Sequence, residues 1–244
     1  MPIKAVIFDW AGTTVDFGCR APVEVLTAIF AEARVPLDSS ESRHAMGLLK
    51  RDQIRAILEL PRVRQAWERE HGAPPDERAV DQLFADFVPR QLECVRRYSH
   101  VIEGVPQAVD KLRRRGIRIG STTGYTREML DLILPQAAAQ GYSPDVHLTP
   151  TDLGNVGRPA PWMLFENMRR LAIYPPTACL KVGDTPSDIE EGRNAGMWTA
   201  GVVLSSSECA AGGPEYARER LQAAGAHFLI DMAADVTSLL DRIS

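Results

Sequence analysis

Residues 8–16 read FDWAGTTVD, and Asp9 stands directly after an apolar run covering residues 3–8. A carboxylate at the end of a buried strand, followed by a turn of small residues, can act as a nucleophile toward phosphorus, although a lone aspartate there commonly serves only as a turn or cap residue. Three further groups follow in order. Ser121-Thr122-Thr123-Gly124 offers hydroxyls and a permissive glycine, a good phosphate cradle. Arg158, in GRPAPW, presents a planar fork of donors for a phosphate or for the nucleophile's own carboxylate. Asp184 and Asp188, in VGDTPSD, place two carboxylates four residues apart. Carboxylates with few other hard ligands suit Mg²⁺, which would offset the repulsion between Asp9 and a phosphoryl group. Two residues after Asp9 stands Ala11, whose side chain cannot pass a proton to a leaving group.

A second kind of chemistry is offered by MGLLKRD, residues 46–52. Lys50 is the first lysine of its region, set among apolar residues and beside Arg51. Burial and a neighbouring cation both disfavour the ammonium form, which leaves free amine to attack a carbonyl. The plainer alternative is a solvated helix lysine. Gly47, just before it, argues for close approach of the backbone to a ligand or to the core.

These groups can cooperate only if the fold gathers them. Short runs rich in Val and Ile predict buried parallel strands at residues 3–8, 117–120, 146–148, 179–182, 199–203 and 227–230. Helical patterns at residues 105–115 and 126–138 lie between them. The alternation implies an α/β fold, a Rossmann-like doubly wound parallel sheet with right-handed crossovers, with ligands at the carboxyl ends of the strands. Asp9, Thr123 and Asp184 all fall just past a predicted strand end. Residues 19–98 break the rhythm. Pro22 suits the first turn of a helix running to Arg34, Ser40 or Ser42 is a candidate cap for the next, and Asp76 for a long one carrying Leu83, Phe84, Phe87, Val88, Leu92 and Val95. This stretch reads as an inserted all-helical cap domain, leaving residues 1–18 and 99–244 as the core. Residues 205–214 (SSSECAAGGP) read as a flexible surface loop. Trp10, Trp162 and Trp198 read as packing residues, and the arginines of residues 113–118 as a solvated helix end.

Bulk properties narrow the partners. A chain of 244 residues can bury one α/β core with a smaller second unit. With 28 basic and 32 acidic residues, a net charge of −4 is too mild to steer toward nucleic acid or an anionic membrane. Cys19, Cys94, Cys179 and Cys209 show neither paired nor metal-ligand spacing, as expected of reduced thiols in a cytoplasmic protein. The first strand begins at once, so no signal peptide fits, and no apolar run approaches membrane-spanning length.

FDWAGTTVD, STTG, Arg158 and KVGDTPSDIEEGRNAGM, taken in order, make the chain resemble the haloacid dehalogenase superfamily, whose members attack phosphorus through an aspartate. In its common phosphatases the first motif is DxD, and the second aspartate protonates the leaving alcohol. Here that position is Ala11. A carbon–phosphorus bond would suit such a site, because the leaving carbanion needs a protonated imine as electron sink rather than a carboxylic acid. The longer blocks FDWAGTTVDFGC, MGLLKRDQIR, GSTTGYTREM, GRPAPWM and KVGDTPSDIEEGRNAGMWT, spanning residues 3 to about 203, are similar to the phosphonoacetaldehyde hydrolase (phosphonatase) branch. That resemblance implies hydrolysis of phosphonoacetaldehyde to acetaldehyde and phosphate, with Asp9 as nucleophile and Lys50 as Schiff-base former. It implies Mg²⁺ held by Asp9, the Ala11 carbonyl and Asp184, with Asp188 in support. It further implies phosphate binding by Thr123, Gly124 and Arg158, a lining of Cys19, Met46, Gly47 and Tyr125, and a homodimer joined through the apolar faces of the cap helices. One position departs from the branch, which carries a proton-transferring histidine three residues after the lysine. Here it is Gln53, which cannot act as a base, and His44 reads as a surface residue. Two other readings stay open on sequence: a phosphate-ester phosphatase or phosphomutase of the superfamily, and a non-catalytic regulator that binds a phosphorylated metabolite.

Overall fold

The computed structural model describes residues 2–243. Its centre is a six-stranded parallel sheet in the order β3-β2-β1-β4-β5-β6, formed by β1 (Ala5–Phe8), β2 (Arg118–Thr122), β3 (Val146–Leu148), β4 (Cys179–Gly183), β5 (Trp198–Val202) and β6 (Phe228–Ile230). All six lie where the sequence pattern expects strands, with limits differing by at most two residues. Side chains alternate across the sheet. Val6 and Phe8 of β1 join the larger core cluster, whereas Ala5 and Ile7 join a second cluster on the opposite face. Among the described residues, seven α-helices belong to this part of the chain: α6 (Val105–Arg114), α7 (Arg127–Ala139), α8 (Trp162–Leu171), α9 (Pro186–Asn194), α10 (Ser207–Gly212), α11 (Pro214–Ala223) and α12 (Val236–Ile243). Residues of α6, α7 and α12 pack in the first cluster and residues of α8 in the second, so both faces of the sheet are covered.

Because β1 lies between β2 and β4, the sheet reverses its winding there, and the crevice for a ligand opens at the carboxyl end of β1. The register brings the three strand ends level. Phe8 pairs with Ser121 on one side and Val182 on the other, and the Asp9 amide donates to the Val182 carbonyl at 2.8 Å.

Between β1 and α6 the chain is helical: α1 (Arg20–Glu32), α2 (Ser39–Ser42), α3 (Lys50–Glu59), α4 (Pro61–His71) and α5 (Glu77–Cys94). Both Asp16 carboxylate oxygens accept backbone N–H groups, from Arg20 at 2.9 Å and Ala21 at 3.0 Å, and so satisfy the open donors at the start of α1. Leu26, Ile29 and Phe30 of α1, Ile54, Ile57 and Leu58 of α3, and Val80, Leu83 and Phe87 of α5 are buried at helical spacing in one cluster. Each such side chain stabilises the cap by roughly 1.5–3 kcal/mol. Asp76 caps α5, as its sequence position suggests, accepting the Ala79 amide at 2.9 Å. The serine caps do not form. Asp38 caps α2 instead, its Oδ1 accepting the amides of Ser40 and Glu41 at 2.8 Å, because a carboxylate one turn earlier outcompetes either hydroxyl.

A second correction concerns residues 205–214. Ser205, Ser206 and Ser207 are buried, Ser206 Oγ accepts the Cys209 amide at 2.8 Å to start α10, and Ser205 donates to the Gly12 carbonyl at 2.6 Å. Small polar residues that suggest a loop by composition act here as caps and core contacts. Among the described residues no helix is long and apolar enough to cross a membrane.

Candidate active site

Asp9 leaves β1 into a crevice and is only 4% exposed. Arg158, equally buried, gives its fork of donors to three carboxylates: Asp9 Oδ1 at 2.8 Å, Asp188 Oδ1 at 2.9 Å and Glu191 Oε2 at 3.0 Å. Lys181, in the middle of β4, is fully buried and adds a second cation, reaching Asp188 Oδ1 at 2.9 Å and Glu191 Oε2 at 3.4 Å. Both cations also donate to Thr122 Oγ1, at 2.7 Å from Arg158 and 2.9 Å from Lys181. The floor of the crevice is therefore a cross-braced ion network that fixes Arg158 and, through it, Asp9. Burial, and then the charge of Asp188, push the Asp9 carboxyl up to about 6 against the pull of Arg158 and Lys181.

Asp184, one residue beyond β4, is the carboxylate that this network leaves without a cation among the described residues. Its partners are dipoles: the Ser207 amide on Oδ2 at 2.9 Å, the Thr13 hydroxyl on Oδ1 at 3.3 Å and the Cys19 thiol at 3.5 Å. Burial and the charges of Asp9 and Asp188 raise its pKa well above the ordinary carboxylate value. Oxygens of Asp9, Asp184 and Asp188 lie within 4.8 Å of one another. Asp188 is already engaged, because its Oδ2 accepts both the Thr185 amide at 3.2 Å and the Thr185 hydroxyl at 2.6 Å while its Oδ1 faces the two cations. Four buried carboxylates thus face Arg158 and Lys181 of the core and Lys50 of the cap, and among the described residues Asp184 is the one of the four with no ion pair. A hard divalent cation fits that donor set.

The cap supplies the opposite wall. Lys50 opens α3 and is 3% exposed, on the same cavity as Asp9. Its Nζ donates to Gln53 Oε1 at 2.7 Å, lies 3.8 Å from Met46 Sδ and stands 5.8 Å from the centre of the Tyr125 ring. Burial brings the amine down to about 8, while Cys19 and Asp9 work to raise it. The cation that opposes Lys50 is Arg158, not Arg51 as its place in the sequence suggests. Arg51 turns away to pair with Glu77 at 2.6 Å and Asp81 at 2.7 Å on the cap surface.

Cap and core meet backbone to backbone. Gly47 has φ near 89°, and a Cβ there would collide with the hydroxyls of Thr185 and Ser187. A Cβ on Gly124 would lie 2.5 Å from the Leu48 carbonyl oxygen and 2.8 Å from that of Gly47. The Ser187 hydroxyl donates across the seam to the Met46 carbonyl at 3.2 Å. Only glycine allows this approach at both positions.

The cavity between cap and core is small, about 20 Å³. Its lining includes Asp9, Ala11 and Asp184 from the core side and Cys19, Met46, Gly47 and Lys50 from the cap. Thr123, Gly124, Tyr125 and Arg158 complete it, so the residues singled out from sequence lie together, with Asp188 just beneath. A haloacid dehalogenase-like hydrolase family model matches residues 3–196. The chain belongs to that family. Phosphonoacetaldehyde hydrolases from Bacillus anthracis and Bacillus cytotoxicus are 45% and 46% identical to it over 257 aligned positions, covering 100% of this chain and 97% of each relative. A phosphonoacetaldehyde hydrolase-like protein from Oleispira antarctica superposes with a TM-score of 0.95 at 35% identity, over 100% of this chain and 93% of that one. A β-phosphoglucomutase from Clostridium difficile, at 15% identity and a TM-score of 0.73 over 99% and 98% of the two chains, shares the haloacid dehalogenase-like fold.

Sequence reasoning missed several groups in this haloacid dehalogenase-like site. Lys181 carries a legible signal, because a lysine inside an otherwise apolar strand must be paired when buried. Glu191 lies three residues after Asp188 on α9, a spacing that puts both carboxylates on one helix face. Thr13 stands within the quoted motif but, as a small hydroxyl residue, reads as part of the turn. Pro22 and Thr185 also line the cavity. Ser207 had no local signal, since it meets Asp184 across 23 residues of chain.

Proposed function

We propose that this haloacid dehalogenase-like hydrolase cleaves the carbon–phosphorus bond of phosphonoacetaldehyde to give acetaldehyde and phosphate. The observation that carries the reading is a buried lysine, its amine brought down to about 8 by burial, on the same cavity as a strand-end aspartate whose motif has alanine where an alcohol-protonating acid would stand. The named activity of the relatives supports the same substrate.

In this reading Lys50 adds to the aldehyde carbonyl, and loss of water gives a protonated imine. Gln53 carries no titratable group, so solvent or the substrate's own phosphonate moves the protons of that dehydration. Asp9 attacks phosphorus, the carbon–phosphorus bond breaks, and its electron pair passes into the imine to give an enamine and an aspartyl phosphate. Water releases phosphate from Asp9. The enamine takes a proton on carbon, and hydrolysis of the resulting imine returns acetaldehyde and free Lys50. Thr123, Gly124 and Arg158 hold the phosphonate oxygens, and Cys19, Met46 and Tyr125 shield the imine from bulk water. Asp9, the Ala11 carbonyl and Asp184 would hold Mg²⁺, which when bound neutralises charge between the phosphoryl group and Asp9. A homodimer through the cap helices belongs to this reading, and the half-buried Phe84, Val88 and Leu92 along α5 support such a seam.

Phosphate release from phosphonoacetaldehyde, measured beside a panel of phosphate esters, tests the assignment. Preference for the phosphonate by orders of magnitude is expected. Preferential hydrolysis of an ester would mean that an acid other than residue 11 serves the leaving group and that the chain is a phosphatase. The metal assignment has a test that does not depend on turnover. Mg²⁺ at a hundredfold excess over its Kd should raise the Tm by roughly 5–10 °C, because it binds only the folded site. Asp184→Asn should lose most of that rise. An unchanged rise in the variant would remove Asp184 from the metal site.

A further inference from the structure

Gln53 is fully buried, yet it does not serve the packing of the cap alone. It stands one helical turn after Lys50 on the same face of α3, where i and i+3 side chains meet. Its amide has a determined orientation. Nε2 donates to the His44 carbonyl at 3.2 Å and lies 3.5 Å from Met46 Sδ, and since a carbonyl only accepts, the NH₂ end must face His44 and the oxygen must face Lys50. The oxygen is 2.7 Å from Lys50 Nζ. No other hydrogen-bond acceptor among the described residues lies as close to that nitrogen; Met46 Sδ stands at 3.8 Å.

We propose that Gln53 is a positioning residue for Lys50, taking one amine proton on its carbonyl so that the nitrogen lone pair faces the cavity, and then accepting the N–H of the protonated imine. The proposal rests on the reading of Lys50 as imine former. A free amine has two N–H bonds and one lone pair; engaging one N–H with a fixed acceptor restricts the rotation that would otherwise spread the lone pair over all directions. Once the imine forms, its single N–H retains the same acceptor, and the amide dipole stabilises the positive charge that receives the electrons of the breaking bond. A neutral acceptor serves this better than a carboxylate, which would hold the lysine as ammonium. The groups facing Lys50 already include Asp9, Asp184 and Cys19, which favour the ammonium, and Arg158, which opposes it.

Two substitutions separate this role from packing. Gln53→Met keeps the length and removes the acceptor; Gln53→Glu keeps the acceptor and adds charge. Imine formation is read by borohydride trapping with phosphonoacetaldehyde across pH, beside kcat and KM for phosphate release. Gln53→Met should slow trapping and lower kcat by roughly tenfold or more, the cost of losing a hydrogen bond to a charged group, with KM changed far less. Gln53→Glu should move the midpoint of trapping upward by about one pH unit or more. Wild-type trapping rates in Gln53→Met, or an unmoved midpoint in a folded Gln53→Glu protein, would overturn the proposal. Failure of the wild-type enzyme to be trapped at all would instead remove the Lys50 imine, a distinct outcome.

Discussion

Lys50→Arg is expected to lower kcat/KM for carbon–phosphorus cleavage by about four orders of magnitude or more, the loss of the only electron sink for a carbanion. Guanidinium keeps the positive charge but stays protonated at any working pH, so a lysine needed only for electrostatics would tolerate the change in part. In the wild-type enzyme, borohydride added with phosphonoacetaldehyde should inactivate irreversibly, by reducing the imine to a secondary amine. The chain holds four lysines, Lys4, Lys50, Lys111 and Lys181. Lys4 and Lys111 are exposed, and Lys181 is locked to Asp188 and Glu191, so mass spectrometry should find the modification on the peptide carrying Lys50. Trapping should rise with pH through a midpoint of about 8, because only the unprotonated amine attacks and burial brings it down to there. Near wild-type cleavage by Lys50→Arg, or a label on another lysine, would return the chain to the phosphatases.

Asp9→Asn should abolish phosphate release to the limit of detection, a loss of several orders of magnitude, since an amide cannot attack phosphorus. Arg158 retains Asp188 and Glu191 as partners, so the crevice floor should hold without the Asp9 charge. Borohydride trapping at Lys50 should persist in this variant, because the imine forms on the cap independently of the core carboxylate. Turnover above trace in Asp9→Asn would eliminate the covalent phosphoryl intermediate. Loss of trapping together with turnover would mean that the two steps are not separable as drawn.

Much of the scaffold was legible because it rests on local patterns. Buried parallel strands announce themselves as short Val- and Ile-rich runs, and the carboxyl ends of three of them located Asp9, Thr123 and Asp184 before any contact was known. The gathering of Lys50 with Asp9 was legible in part, since the helical insert reads as a cap and Lys50 as its candidate amine, but the spacing of residues 9 and 50 does not say that Lys50 faces the crevice, and resemblance supplied that. What stayed hidden is long-range and polar. The serines of residues 205–207 read as a loop because their capping and core contacts depend on Asp184 and Gly12, remote in sequence. Arg51 read as the neighbour of Lys50 because it is next in the chain, but side chains adjacent on a helix diverge, and its partners Glu77 and Asp81 lie on α5. Gln53 read as a missing base; its meaning lies in the direction of its carbonyl, which sequence does not carry.

In the proposed reading the nucleophile, Asp9, stands on the sheet and the amine of Lys50 on the cap, and the two meet across a seam of glycine backbone at residues 47 and 124. Such a division works as a lock with two keys. An aldehyde without a phosphonate can engage Lys50 but offers Asp9 nothing to attack, and its imine simply hydrolyses back. A phosphate ester would reach Asp9 but find no acid at residue 11 to release its alcohol, and it would bring no carbonyl for Lys50. On that reading each class of bystander molecule would turn one key and leave unchanged, so that discrimination would come from requiring both acceptances in one space rather than from a tight fit to either half of the substrate.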